Sequence, residues 1–346
     1  MTILYFILVL GVTVFIHELG HFIFAKRAGI YCYEFSLGMG PKIFSKKRKN
    51  DETVYSIRLF PIGGFVQMAG EEVEIDEKIP KNKRMQSKTW MERFLTVIAG
   101  VMFNFILAII LLFIVALISG APSNKSYIGK LYKEYPIYQS GLKVGDQITH
   151  LNGKKVSSSD ILLLNLQVNN NKTITFTVKD KKGISKDIKI TGVKEKVKGE
   201  TIYRYGFALE QKIEKGILPS IKYAFTKTKD LLNQMVHIII YLVTGTLGIS
   251  SLAGPVGIYN IVGESAKAGF VNVLFLIAYL CINVGFINLL PIPAFDGGRI
   301  LFMIIEKIRG KSLNPKTENM IHSVFLFLLF GLMIVITIFD VMRLFK

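Results

Sequence analysis

Val14-Phe15-Ile16-His17-Glu18-Leu19-Gly20-His21-Phe22-Ile23-Phe24 is the stretch that decides how this chain is read. It lies inside an apolar run covering residues 2–25. On a helix, residues four apart share one face about one turn distant. His17 and His21 can therefore converge on one zinc ion while Glu18 stands beside a water molecule, the logic of H-E-x-x-H. Location adds a second argument. An ionisable side chain in a transmembrane helix costs on the order of 3 kcal/mol, so three in one turn need a partner that offsets the cost. Zinc is such a partner. The plain alternative is that His17 and His21 only hydrogen-bond to neighbouring helices; Glu18 between two zinc-spaced histidines weighs against it.

Working outward, 51% of the 346 residues are hydrophobic and the mean hydropathy is +0.41, too apolar for an ordinary soluble enzyme. The formal net charge of +18 does not point to nucleic acid, because much of it sits in Lys/Arg clusters beside apolar runs, where such residues fix membrane topology. Cys32 and Cys281 lie far apart in or beside apolar segments, so neither a disulfide framework nor a cysteine-based zinc site is implied.

The first run lacks the basic leader of a secretory signal and reads as a retained span. Residues 94–119, 270–290 and 321–344 also approach the ~20 apolar residues needed to cross hydrocarbon. A fifth uncharged run, 236–263, is interrupted by Gly245, Gly248, Gly254, Pro255 and Gly257 and is expected to dip into the membrane or lie on it. Lys/Arg-rich segments follow the first span (Lys26 to Arg93) and the third (Arg299 to Lys316), so both should be cytoplasmic, with the N-terminus, residues 120–235 and the C-terminus outside. Residues 124–212 are polar and alternate short β-like runs (128–132, 147–151, 173–179, 205–209) with turn signals, as in a soluble β-rich domain.

A catalytic zinc takes three protein ligands and keeps a fourth position open. Among the candidates near apolar runs, His237, Glu264, Asp296, His322 and Asp340, the best is Asp296. It sits in Asn288-Leu289-Leu290-Pro291-Ile292-Pro293-Ala294-Phe295-Asp296-Gly297-Gly298, where the chain breaks at the end of an apolar span; irregular backbone at that depth is tolerated only where protein or a water-filled cavity shelters it. Asp296 reaches the side of His17 and His21 only if 236–263 does not cross as a single span. His322 and Asp340 read as ordinary headgroup-level residues, with His237 and Glu264 read likewise and His150 as a surface residue.

The pairing of His17-Glu18-Leu19-Gly20-His21 with Asn288 to Gly297 resembles the site-2 protease family, and within it the bacterial zinc proteases of regulated intramembrane proteolysis that carry a single PDZ domain. Supporting matches are Phe35 to Pro41, Pro61 to Val66 with Gly70-Glu71, Ala99-Gly100 with Phe103-Asn104-Phe105, and Gly254 to Ile258. Ser140 to Ile148 followed by Leu151-Asn152-Gly153 resembles bacterial protease PDZ domains. The chain departs from the family pattern at Val101 and Phe295, neither a proposed ligand.

The resemblance implies a polytopic α-helical membrane protein of about four transmembrane helices, with an inserted extracytoplasmic PDZ-like β-rich domain and a membrane-associated β loop over 31–65. The expected division is a protease core in 1–119 and 269–346, the PDZ-like domain in 124–212 and an amphipathic or re-entrant linker in 213–268. One Zn2+ held by His17, His21 and Asp296 would activate water, with Glu18 as general base, and Asn288 is a candidate for holding substrate backbone or the oxyanion. Substrates would be single-span membrane proteins, an anti-sigma factor trimmed outside or a signal-peptide remnant, cut toward the cytoplasmic side of a bacterial cell membrane. The competing reading is a catalytically silent protein that binds transmembrane helices; a transporter is disfavoured because no internal repeat is visible.

Overall fold

Lys26 and Arg27 close the first apolar run, and helix α1 (Thr2–Arg27) ends on them. Basic side chains suit both a helix C-terminus and the headgroup level. Gly29, at φ +67°, turns the chain into β1 (Cys32–Lys47), which pairs with β2 (Val54–Met68). The pairing is doubled. Residues 34–37 face 64–67 on one side and 54–57 on the other, while 54–57 also face 44–47, leaving 64–67 at one margin. The buried Glu34 carboxylate fastens these segments, accepting from Ser56 Oγ at 2.5 Å and Arg58 Nη2 at 2.8 Å, with Lys42 Nζ 2.8 Å from its other oxygen. A buried charge persists where it is paired in this way. Helix α2 (Trp90–Ser119) follows. The computed structural model describes residues 1–71, 78–168, 173–197, 200–311 and 314–344.

Two compact units emerge, Met1–Leu111 with Leu252–Phe345, and Leu112–Ser251. The second holds β3 (Ala121–Pro122), β4 (Tyr127–Leu131), β5 (Gln147–Leu151), β6 (Lys154–Lys155), α3 (Ser159–Val168), β7 (Thr173–Lys179), β8 (Ser185–Thr191), β9 (Val193–Val197), β10 (Glu200–Arg204), β11 (Phe207–Glu210), β12 (Ile213–Glu214) and α4 (Ile217–Val243). Its main sheet runs β11-β4-β5-β7-β8 with β6 on β5. Alternation on β7 puts Ile174, Phe176 and Val178 in the core with Ile128, Ile148 and Leu162. The four β-like runs of the sequence are thus strands, to within two residues. Helix α4 turns Ser220, Ala224, Thr228, Leu231 and Met235 inward on one face, and Lys227 pairs with Asp160 of α3 at 2.5 Å.

The first unit is completed by α5 (Pro255–Ala268), α6 (Phe270–Leu289), α7 (Asp296–Arg309) and α8 (Pro315–Leu344). Residues 236–263 form no continuous helix: α4 stops at Val243, and α5 starts at Pro255. With 14 residues, α5 is about 21 Å long, short of a hydrocarbon core of about 30 Å. Helix α4 lies within the second unit and α5 within the first. Among the described residues four helices are long and apolar enough to cross a membrane: α1, α2, α6 and residues 317–343 of α8. Only 6% of the α8 window is buried, and a face that apolar is compatible with lipid rather than water.

Asp340 departs from its reading as a headgroup residue. It is 3% exposed, and its Oδ2 accepts the Gly257 N–H at 2.8 Å, in the first turn of α5. The first N–H groups of a helix have no partner within it, and Asp340 supplies one for α5. Asp340→Ala is expected to lower the stability of the detergent-solubilised protein by about 1–3 kcal/mol, with Asp340→Asn retaining most of it; a thermal unfolding series checks both.

Candidate metal centre

The helical geometry of α1 presents His17 and His21 one turn apart, both 8% exposed. The third group arrives from a broken helix. α6 stops at Leu289 because Pro291 and Pro293 cannot continue it. The chain then turns tightly, with Ile292 N–H on Leu290 O at 2.7 Å and Phe295 N–H on Ile292 O at 2.9 Å, and Asp296 opens α7. Two contacts hold α7 to the start of α2: Trp90 Nε1–H donates to Met303 O at 2.9 Å, and Arg93 forks onto Glu306 at 2.7 and 3.0 Å, a bidentate geometry that fixes orientation.

Asp296 Oδ2 lies 3.1 Å from His17 Nε2 and 3.3 Å from His21 Nε2, and the two nitrogens are 3.2 Å apart. Among the described residues this is the one group of three or more His, Cys, Asp or Glu side chains arranged for a metal. Ligand atoms about 2.0–2.1 Å from a tetrahedral zinc would be roughly 3.3 Å from one another. The observed triangle fits. Asp296 Oδ2 is also buried without a hydrogen bond, as expected of three acceptor atoms facing one centre. On the far side of the ring, His21 Nδ1–H donates to Thr96 O at 2.9 Å. That contact fixes the tautomer and leaves the Nε2 lone pair free for a cation.

Two glycines allow this assembly. A Cβ at Gly100 of α2 would come within 2.9 Å of His17 Cε1 and 2.7 Å of His21 Cε1, so α2 packs directly against both imidazoles. A Cβ at Gly64 would meet Glu18 Cγ at 3.2 Å and Val14 Cγ1 at 3.1 Å, so the marginal segment of β2 runs against the glutamate.

The three groups line a cavity of about 500 Å³ together with Glu18, Gly63, Gly64, Phe65, Val66, Asn288 and Phe295. Every residue singled out for the site is therefore present at one place, Asn288 on its wall. The same cavity contains three ionisable side chains that sequence reasoning did not place in the site: Glu71, Arg299 and His322. Arg299 ion-pairs with Glu71, and its position three residues after Asp296 on a helix was the signal available. His322, expected at the headgroup level, instead donates from Nδ1 to Pro293 O and ties α8 to the turn before Asp296; no sequence pattern announces that contact. His237 donates to Asn233 O within its own helix at 2.8 Å, Glu264 is exposed, and His150 belongs to the β-rich unit.

Helices apolar enough for a bilayer, an H-E-x-x-H turn in the first and a carboxylate at the end of the third define a class, the membrane-embedded zinc metalloproteases. The chain belongs to Peptidase family M50, the site-2 proteases, whose family model matches residues 5–332. It is 36% identical to the Regulator of sigma-W protease RasP of Bacillus subtilis, with 99% of each chain covered. It is 32% identical to Zinc metalloprotease RasP of Geobacillus kaustophilus, over 99% of this chain and 98% of the relative. A putative zinc metalloprotease of Staphylococcus aureus is 35% identical, with 99% of both chains covered. The protein is a zinc metalloendopeptidase of regulated intramembrane proteolysis.

Proposed function

We propose that this protease hydrolyses a peptide bond within the transmembrane segment of a single-span membrane protein, with His17, His21 and Asp296 as zinc ligands and Glu18 as general base. The observation that carries the reading is the 3.1–3.3 Å triangle of ligand atoms one residue away from a glutamate on the same helical turn. Bound zinc supplies Lewis acidity, polarising a carbonyl and acidifying water. Glu18 takes the proton of the attacking water and delivers it to the leaving amine. Asn288, on the cavity wall, is suited to hold the substrate backbone or the developing oxyanion through its amide.

A transmembrane helix hides its peptide bonds in internal hydrogen bonds and must unwind before it is cut. The marginal segment 64–67 of the β1–β2 sheet supports such a step. It runs beside Glu18 with its outer edge unpaired in the described sheet, where an extended strand can add by main-chain pairing. Outside the membrane, residues 124–212 of the second unit read as a PDZ-like domain. A cavity of about 630 Å³ between α3 and edge strand β11, lined by Leu163, Leu166, Phe207 and Leu209, suits docking of an extended peptide. The exposed Ile217, Leu218 and Phe225 of α4 suit the outer headgroup layer. With the basic loops inside, the zinc site faces the cytoplasmic half of the bilayer. One relative is called a regulator of sigma-W protease, and by that likeness the substrate class is an anti-sigma factor trimmed outside, or a remnant signal peptide.

The test is cleavage of a pre-trimmed single-span reporter in membranes by wild type and Glu18→Gln, with zinc measured on both purified proteins. Wild type should cut, and the glutamine variant should lose roughly 10²–10⁴ in rate while keeping its zinc. Zinc in both proteins with cleavage by neither, over several trimmed reporters, would favour a catalytically silent helix-binding protein.

A further inference from the structure

Each histidine that gives Nε2 to a metal must carry its ring proton on Nδ1, and that N–H needs an acceptor. For His21 the acceptor is Thr96 O. The corresponding position for His17 is occupied by Asn104 of α2, 0% exposed, whose amide lies 3.4 Å from His17 Nδ1. Thr96, Gly100 and Asn104 are successive members of an i, i+4 stripe on α2. The stripe thus offers one polar group to each imidazole and, between them, a glycine that lets the helices meet. The nitrogen end of the Asn104 amide faces His17, and its Oδ1 is buried without a partner. Because the two amide ends have nearly the same shape, a half-turn about χ2 places Oδ1 on Nδ1 instead. The contact to His17 is the amide's one polar contact among the described residues, so it decides which end faces the ring.

We propose that Asn104 is a positioning residue for the metal centre: its amide oxygen accepts the Nδ1–H of His17 and so holds the Nε2 lone pair on the zinc position. This rests on the ligand reading above. A nitrogen end facing the ring would instead demand an Nδ1 acceptor and move the proton to Nε2, against His21 Nε2 and Asp296 Oδ2 at 3.2 and 3.1 Å. In a site whose purpose is to bind a cation, the oxygen orientation is the consistent one.

Zinc affinity of the full-length detergent-solubilised protein, by chelator competition, together with the cobalt(II) absorption spectrum, tests this in four variants. Asn104→Leu, which keeps the branched four-atom side-chain skeleton but offers no acceptor, should weaken zinc about 10- to 100-fold and alter the cobalt spectrum in protein that still unfolds cooperatively on heating. Asn104→Asp, which offers only acceptors, should bind at least as tightly as wild type. In a His17→Ala background, adding Asn104→Leu should cost nothing further, because the effect is routed through His17. Wild-type affinity in Asn104→Leu overturns the proposal, as does equal loss in the leucine and aspartate variants or an undiminished leucine effect in the alanine background. If the leucine variant does not fold, the aspartate variant decides alone, with loss of zinc the overturning result. A His17→Ala protein that holds zinc as tightly as wild type overturns the ligand reading itself and the proposal with it, and so distinguishes the two failures.

Discussion

Asp296→Ala protein should purify folded, without zinc and without proteolytic activity. Removing the carboxylate takes away one of the three converging atoms proposed to hold the zinc and the negative charge that would offset a dication in a buried site. Even changes behind metal ligands cost 10–100-fold in affinity, so loss of a ligand should cost more than ~100-fold, about 2.7 kcal/mol or above. The cost to the fold is smaller. Asp296 is the acidic residue in the first turn of α7, and that placement is worth about 0.3–1 kcal/mol. The Trp90 and Arg93 contacts that hold α7 do not involve it. Metal analysis and thermal unfolding on the same sample separate the two effects. Stoichiometric zinc in the alanine variant would remove Asp296 from the ligand set and leave the third ligand to be sought elsewhere on the cavity wall.

Gly100→Ala should abolish cleavage although it introduces a better helix former. Propensity alone predicts a gain of about 1 kcal/mol in a helix interior. Packing predicts the opposite, because the new methyl would sit 2.9 Å from His17 Cε1 and 2.7 Å from His21 Cε1, inside van der Waals contact. Neither ring can retreat without leaving the ligand triangle, while backing α2 away breaks its approach to α1, where a Cβ at Gly20 would meet the Ala99 backbone. Packing wins, and cleavage should fall at least ~100-fold, since a displacement of about 1 Å is enough for that. Gly11→Ala is the control on α1, where an added Cβ meets nothing within 4 Å, and it should leave activity unchanged. Normal turnover by Gly100→Ala would mean that the contact between α1 and α2 has room for a methyl group at this position.

Much of the candidate centre is legible in the sequence because its chemistry is local. His17, Glu18 and His21 are separated by helical increments, and helix periodicity alone puts them on adjoining positions. Asp296 was legible for another reason: two prolines and two glycines flank a carboxylate at the end of an apolar run, a combination with few uses other than a sheltered polar site. The strands at 147–151 and 173–179 were legible from alternation and turn residues. Helix α3 was not identified, although Ser158 caps it, with Oγ accepting the Ile161 N–H at 3.3 Å; its Leu-rich interior gave no distinct period over ten residues.

The supporting contacts belong to a different category. Thr96 supports His21 through its backbone carbonyl, a group every residue carries, so the side-chain alphabet holds no trace of it. Asn104 and His322 act through side chains, but which ring or carbonyl each meets depends on where α2 and α8 cross their neighbours. Asp340 likewise turned from a presumed headgroup contact into the partner of the Gly257 N–H. Crossing points are set by interdigitation of side chains and by close approaches such as Gly20 on Ala99, contacts between residues about 80 positions apart. The sequence by itself determined the four long apolar helices and the spacing of the proposed ligands and of Glu18, because these follow from hydropathy and from spacing within one element. Only the tertiary structure decided which groups stand behind the ligands and line the cavity, because helix-to-helix register is a property of packing that no single segment encodes.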